Sequence, residues 1–523
     1  MTGTFGLLRL VLRRDRIIMP LWVLGLGILP WVYVTGFDSL FSTVQERVDY
    51  ARISAANTGF VALYGPLRGD SLGELVVWRG GFVPVMIALA ALLTVLRHTR
   101  ADEEAGRTEL IRAGVVGRFA PLAAAVLATV LACTVMGVVV AVTLIGHGLP
   151  GGGAMALGAV FAVSGWAFAG VAAVTAQLSD SARGGRTIAV LVLGVSYVLR
   201  LGGDISAMGD SRLDWLSWLS PIGWVERVFP FGADDGGPLI LTVALTLVTV
   251  GAGAFLLTRR DLGSGILASR LGPATAGAAL RSPIGLAWRL HRGLLFGWTA
   301  GFAVLGLVFG AVANSVVQLA DDSSGVTEMF TRIGGTTAVA DAYFAIAAQL
   351  SGLIVACYAV QCALRMRDEE QSGHAEALLS TDVSRWSWAA GHLVFAVGGP
   401  AVALFAEGLL AGLAFGDLGG VLATTLVQLP AVWVLAAVAT LLIGAVPKLA
   451  AAAWAVTAAA LLILLVGPLL KVDQLVLDLS PFTHVPRLPG DASAVVPLLM
   501  LTLIAAVLGG AGLIALRRRD VPV

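Results

Sequence analysis

The chain has 523 residues, a mean hydropathy of +0.89 and a charged fraction of 13%, about half of the ~25% usual in soluble proteins. Its net charge of +1, with no basic stripe or interleaved aromatic platform, argues against a nucleic-acid partner. Apolar runs such as 119–145 mark a polytopic membrane protein.

In chain order, the stretch Phe5–Arg16 alternates apolar and Arg positions near helical spacing and reads as a surface helix on the cytoplasmic leaflet. A helix needs ~20 apolar residues to cross the ~30 Å hydrocarbon layer. By that rule twelve spans are expected, near 17–37, 78–97, 119–146, 153–178, 187–202, 238–258, 293–315, 343–364, 386–413, 418–443, 449–470 and 494–516. The first is read as an uncleaved span, because no small-residue cleavage site follows Leu29-Pro30-Trp31. Pro400, with Gly398 and Gly399, is a candidate kink in the ninth. The Trp-rich, Pro-broken loop that begins at Asp210 belongs at the outer membrane interface. Cys133, Cys357 and Cys362 lie in apolar runs and read as small core residues, not as a disulfide frame or a metal site. With the N-terminus in the cytoplasm, 24 of the 34 basic residues fall on cytoplasmic segments. That asymmetry places both termini on the cytoplasmic side and supports an even number of spans.

The chain reads as a duplication. "RADEEAGRTELI" from Arg100 is answered by "RDEEQSGHAEAL" from Arg367. "LSPIGWVERVFPFG" from Leu219 is answered by "LSPFTHVPRLPG" from Leu479, and "RRDL" at Arg259 by "RRDV" at Arg518. The expected organisation is a first six-span domain over 1–262, a cytoplasmic linker over 263–283 and a second six-span domain over 284–523. Each half starts and ends in the cytoplasm, so the repeats share one orientation, about an axis along the membrane normal.

The two acidic islands belong in water. Seven charged side chains from Arg100 to Arg112 would each cost ~2.5–3.5 kcal/mol at mid-membrane, on the order of 20 kcal/mol together. Each island is either a solvated charged loop or a short surface helix-turn on which a cytoplasmic partner docks, used twice because the partner has two copies. The segments "DEEAGRTELIRAGVVGR" and "DEEQSGHAEALLSTDVSR" resemble the Glu-Glu-x-x-Gly-x-x-Glu…Arg coupling segment of type-2 ABC transporter permeases. The fused layout is similar to the membrane subunit of actinobacterial exporters of polyketide antibiotics, the tetronasin-type group. The resemblance implies an all-α fold of two tandem six-helix repeats in a bacterial cell membrane. It also implies ATPase-coupling roles for Glu103, Gly106, Glu109 and Arg118, and for Glu370, Gly373, Glu376 and Arg385. Two copies of a separate P-loop ATPase would bind ATP and Mg, and short re-entrant helices would precede the sixth and twelfth spans. The family's Ser/Thr-Pro before the last Arg is missing from both copies, which allows the two docking sites to differ in strength.

No G-x-x-x-x-G-K-[ST] loop exists: the only lysines, Lys448 and Lys471, follow no glycine-rich turn. No catalytic grouping or metal-ligand spacing stands out, so no cofactor is expected on this chain. Glu407 is the strongest polar residue inside a span. It reads either as an interfacial carboxylate, ~30 Å up a straight helix from Trp386, or as a cavity carboxylate meeting a cationic substrate. Two functions compete. One is the permease subunit of an ATP-driven exporter of hydrophobic or amphipathic compounds by alternating access. The other is a proton-coupled twelve-span drug transporter, against which stands the scarcity of ionisable residues in the spans. A scaffold or intramembrane enzyme lacks any supporting cluster.

Overall fold

The structure, a computed structural model, describes residues 2–520 apart from 42, 56–57, 209–212, 268–273, 276, 323–338, 467–472, 487 and 489–494. The described residues form helices and loops in two compact units, Met1–Gly272 and Pro273–Val523.

In the first unit α1 (Thr4–Arg14) is a separate helix ending at Asp15, and the first span is broken into α2 (Ile18–Gly27) and α3 (Leu29–Leu40). Pro30 at the start of α3 explains the second break, since it supplies no N–H to continue the ladder. α4 (Val44–Ala55), α5 (Thr58–Tyr64) and α6 (Leu72–Arg79) follow. A Ser71–Glu74 capping box starts α6 by satisfying two backbone donors. α7 (Val83–His98) runs into α8 (Arg100–Glu104) and α9 (Arg107–Arg112). The long spans are α10 (Ala120–Gly146), α11 (Gly151–Leu178) and α12 (Ala182–Met208). The short α13 (Pro221–Glu226) precedes the closing α14 (Gly237–Thr258). α11 is the most enclosed helix, packed against α7, α10, α12 and α14. Its Gly158 lies on Gly137 of α10 with no room for a Cβ on either side, the small-residue contact that lets two membrane helices approach closely.

In the second unit α15 (Pro283–Asp322) starts ten residues before the span expected at 293–315 and runs through it. α16 (Val339–Gln371) continues through the acidic island and is followed by α17 (His374–Leu379). α18 (Arg385–Phe415) passes Pro400 without a break. α19 (Leu418–Leu426) and α20 (Leu429–Ala445) divide one expected span, again just before a proline, Pro430. α21 (Ala452–Val466), α22 (Gln474–Leu477) and α23 (Val495–Arg518) complete the unit. α20 sits against α16 and α23, as α11 sits against α7 and α14 in the first unit. Gly444 on α20 meets Gly512 on α23 without space for a side chain.

Eleven stretches among the described residues are long and apolar enough to cross a membrane. The span expected at 449–470 is helical over Ala452–Val466, shorter than the others, and 467–472 lie outside the described residues. The linker expected at 263–283 also falls partly outside them.

Candidate functional site

The two acidic islands form elbows, each a helix end, a glycine and a short helix. In the first, α8 and α9 are joined through Gly106, whose φ is 71°. In the second, α16 and α17 are joined through Gly373, with φ 76°. A Cβ at either glycine would meet nothing within 4 Å, so the requirement is conformational: only glycine takes this left-handed turn without strain.

The inner carboxylate of each elbow is sequestered in an internal ion pair. Glu103 receives both arms of the Arg260 guanidinium, at 2.6 and 2.7 Å, and the Gly263 N–H at 2.7 Å. Their side chains are 7% and 4% exposed. Arg260 also donates to Gln177 Oε1 at 2.8 Å. Glu370 is fully buried between Arg519 and Arg367, the latter at 3.0 Å. Arg260 and Arg519 are the second arginines of the repeated "RRD" motifs, so each elbow is tied to the end of its unit's closing helix. The two-armed Glu103–Arg260 contact is strong and orientation-specific, whereas Glu370 meets each of its two arginines through a single nitrogen. Arg118 and Arg385 reinforce the joint. Arg118 donates to the Leu257 and Arg260 carbonyls at 2.7 and 3.0 Å, and Arg385 to those of Arg517 and Arg519. Each thereby satisfies carbonyls at a helix C-terminus, where positive charge is favoured.

The neighbouring acids extend the joint. Glu104 accepts the Ala182 N–H at 2.9 Å, capping the start of α12. Asp102 holds Arg14 of α1 at 2.6 Å and Arg107 at 2.7 Å. Three successive carboxylates therefore fasten the first elbow to α1, α12 and the end of α14. At the position of Asp102 the second unit has Glu369, whose partners are the Trp388 indole N–H at 3.1 Å and His392 Nε2 at 3.2 Å. His392 Nδ1 in turn lies 2.9 Å from His291 Nε2. The two joints share a layout but differ in chemistry.

The outer residues face away from these contacts. Glu109 and Glu376 are exposed, Leu110 is 79% exposed, and Val115 is 89% exposed. Of the eight residues named from the sequence, Glu103, Arg118, Glu370 and Arg385 make the internal joint, Gly106 and Gly373 shape the turn, and Glu109 and Glu376 are exposed outside it. Sequence reasoning missed Asp102, Glu104, Arg14, Glu369, His291 and His392. Arg260 and Arg519 carried one signal, their place in the repeated motif.

Glu407 is 1% exposed inside the second unit and accepts the Ser351 hydroxyl through Oε1. Its Oε2 has no hydrogen-bond partner among the described residues. The loops before the closing helices each hold short helical turns, 214–219 with α13 in the first unit and α22 with 481–484 in the second. Ser220 caps α13 and donates to the Ser196 carbonyl at 2.6 Å.

Comparison with known proteins adds the family. The profile described as "Multidrug efflux system permease Rv1217c, C-terminal domain" matches residues 5–257 and 280–517. The chain is also similar to the multidrug efflux system permease protein Rv1217c of Mycobacterium tuberculosis, with 43% identity over 99% of this chain and 95% of that protein. With eleven membrane-length helical stretches among its described residues and a match over nearly its whole length, this multi-pass cell-membrane chain belongs to the Rv1217c family of multidrug efflux system permeases.

Proposed function

We propose that the chain is the membrane subunit of an ATP-driven ABC exporter, moving hydrophobic or amphipathic drug-like compounds out of the cell by alternating access. Two copies of a separate P-loop ATPase supply the energy, with ATP and Mg bound on those subunits. The fold behind this reading is twelve spans in two repeats of one orientation, with cytoplasmic termini. The recurrence of packing partners in the two units supports it, as does the fit of one family profile to residues 5–257 and 280–517. So does the resemblance to type-2 permeases of the tetronasin-type group.

One observation carries the mechanism: in both units an exposed acidic helix sits on a glycine turn whose inner carboxylate is locked to the closing helix. A push on Glu109 or Glu376 is then delivered to the membrane helices through Glu103–Arg260 or Glu370–Arg519, because a buried ion pair resists separation. A proton-coupled mechanism is the second reading, and Glu407 favours it as a buried carboxyl group with no cation beside it among the described residues.

The test uses the outer residues, since charge reversal at Glu103 or Glu370 breaks the internal joint as well. The chain, carrying Glu109→Lys and Glu376→Lys together, is co-expressed with the P-loop ATPase proposed as its partner. The expected result is loss of the complex, or of drug-stimulated ATP hydrolysis, with an unchanged melting temperature. Full coupling in the double variant contradicts the proposal.

A further inference from the structure

The first unit encloses a cavity of about 180 Å³ at the end opposite its elbow. Its walls come from the segment before α6, from α6 itself, from the early turns of α7 and α11, and from the loop that follows α13. Most of the lining is apolar, and Tyr64, Trp78, Val77 and Phe161 belong to it. Trp78 is fixed by donating its indole N–H to the Gly65 carbonyl at 3.0 Å, and Tyr64 stands edge-on to it with centroids 5.1 Å apart.

The loop after α13 is held in a conformation that its residues do not favour. Phe229, Phe231 and Asp234 have φ of 46°, 66° and 49°, the three non-glycine residues with positive φ among those described. Bulky residues keep such angles only where the surroundings enforce them, and such places cluster at ligand sites. The Phe231 ring is wedged against Gly73 of α6 and Gly153 of α11, where a Cβ would collide with it, and Asp234 Oδ1 accepts the Phe231 N–H at 2.9 Å. The same constraint sets Phe229 in the cavity lining, and the Arg68 guanidinium lies over its ring, 3.6 Å from the centroid.

Three charged residues line the cavity, Arg68, Glu74 and Glu226, and both acids are already engaged. Glu226 takes the buried Arg200 Nε at 2.6 Å, and Asp204 shares that guanidinium at 2.8 Å. Glu74 Oε2 accepts the Ser71 N–H at 3.2 Å and the Ser71 hydroxyl at 2.7 Å, at the start of α6, where negative charge is favoured. Arg68 has neither a hydrogen bond nor an ion pair among the described residues; its one close contact is the Phe229 ring. It is exposed, and its guanidinium still lies below the ordinary arginine range, through desolvation first and the nearby Arg227 second, against the pull of Glu226 and Asp204. Arg79, over the Tyr64 ring at 4.8 Å, and Arg227, 2.9 Å from Ser217 Oγ, add positive charge and pair with no carboxylate among the described residues. A guanidinium laid over a ring keeps its N–H edge open, and that planar edge matches a carboxylate.

We propose that this cavity binds an arylalkyl carboxylate, its ring among Tyr64, Trp78 and Phe161 and its carboxylate on the open N–H edge of Arg68. The size agrees, since a cavity of ~150 Å³ takes up benzene. The bound anion supplies the partner that Arg68 lacks and offsets its repulsion from Arg227. The site lies wholly within the first unit, so it stands whether transport is driven by ATP or by protons.

The test is calorimetric titration of the full chain, purified in a non-ionic detergent without any partner, with 3-phenylpropionate, 3-phenylpropanol and 3-phenylpropylamine at pH 7. The wild-type chain is expected to bind the acid saturably, with the alcohol at least ~10-fold weaker and the amine weaker still. Arg68→Gln is expected to weaken the acid by ~10-fold or more while leaving the alcohol within ~3-fold, because it removes the charge and not the ring site. Val77→Phe, which fills the space, is expected to weaken acid and alcohol alike. The wild-type series needs no variant to fold. Absence of saturable acid binding, alcohol or amine binding as tight as the acid, or acid binding unchanged in Arg68→Gln or in Val77→Phe would each overturn the proposal.

Discussion

The joint between elbow and closing helix makes a quantitative prediction in the first unit. Glu103→Gln keeps the shape of the side chain but takes the charge from a pair whose members are 7% and 4% exposed. It leaves the Arg260 cation buried with no carboxylate across its two-armed face, a loss of ~3–5 kcal/mol. Domains of this size lose ~2–4 °C in melting temperature per kcal/mol, so the fall should be on the order of 10 °C. Arg260→Gln leaves Glu103 with the buried Arg100 guanidinium at 3.2 Å and should cost less than Glu103→Gln, while the double variant should cost clearly less than the sum. The coupling energy from that cycle should be ~2 kcal/mol or more. Thermal unfolding of the detergent-solubilised chain, followed by circular dichroism, reads all four corners. Additive single effects, with coupling under ~0.5 kcal/mol, would show that the pair is not the mechanical link described above.

Three further predictions rest on separate contacts. Gly106→Ala and Gly373→Ala force a Cβ into a left-handed turn, and each should lose ~1 kcal/mol or more of stability, read by the same melts, although neither methyl group meets a neighbour. Arg14→Ala removes the α1 partner of Asp102, so amide hydrogen exchange should quicken across Thr4–Arg14 while the spans stay protected. Glu407→Gln retains an acceptor for the Ser351 hydroxyl and introduces no charge, so it should change stability by ~1 kcal/mol or less, whereas Glu407→Lys buries an unpaired cation and should prevent accumulation of folded protein.

The spans were legible where apolar residues ran without interruption. Those expected at 119–146 and 153–178 match Ala120–Gly146 and Gly151–Leu178 to within two residues. They were misjudged where charge continues along a helix. α12 was expected over 187–202 but runs Ala182–Met208, because Arg200 and Asp204 neutralise each other inside the helix instead of ending it. α15 starts at Pro283, not 293, because its polar first turns and its span share one unbroken ladder. Pro400 sits within an intact helix, whereas Pro30 and Pro430 coincide with breaks.

The elbows were visible as a repeated acidic pattern, and glycine at the turn was part of it. What the pattern could not tell was which carboxylate faces inward. Glu103 finds Arg260 across 157 residues, and Glu370 finds Arg519 across 149, so no local spacing records either pair. The same holds for Arg200 and Glu226, which meet only because α13 folds back on α12. The pairs are tertiary facts, and the sequence shows them only as polar residues that recur beside apolar runs.

The central claim is that a separate ATPase drives drug movement through the two elbows. Inside-out proteoliposomes holding the purified chain together with its partner ATPase, loaded with a fluorescent cationic drug outside, test it most directly. The account predicts accumulation that requires both ATP and the partner and persists when the proton gradient is collapsed. Accumulation driven by an imposed proton gradient, with no ATP and no partner present, would contradict it.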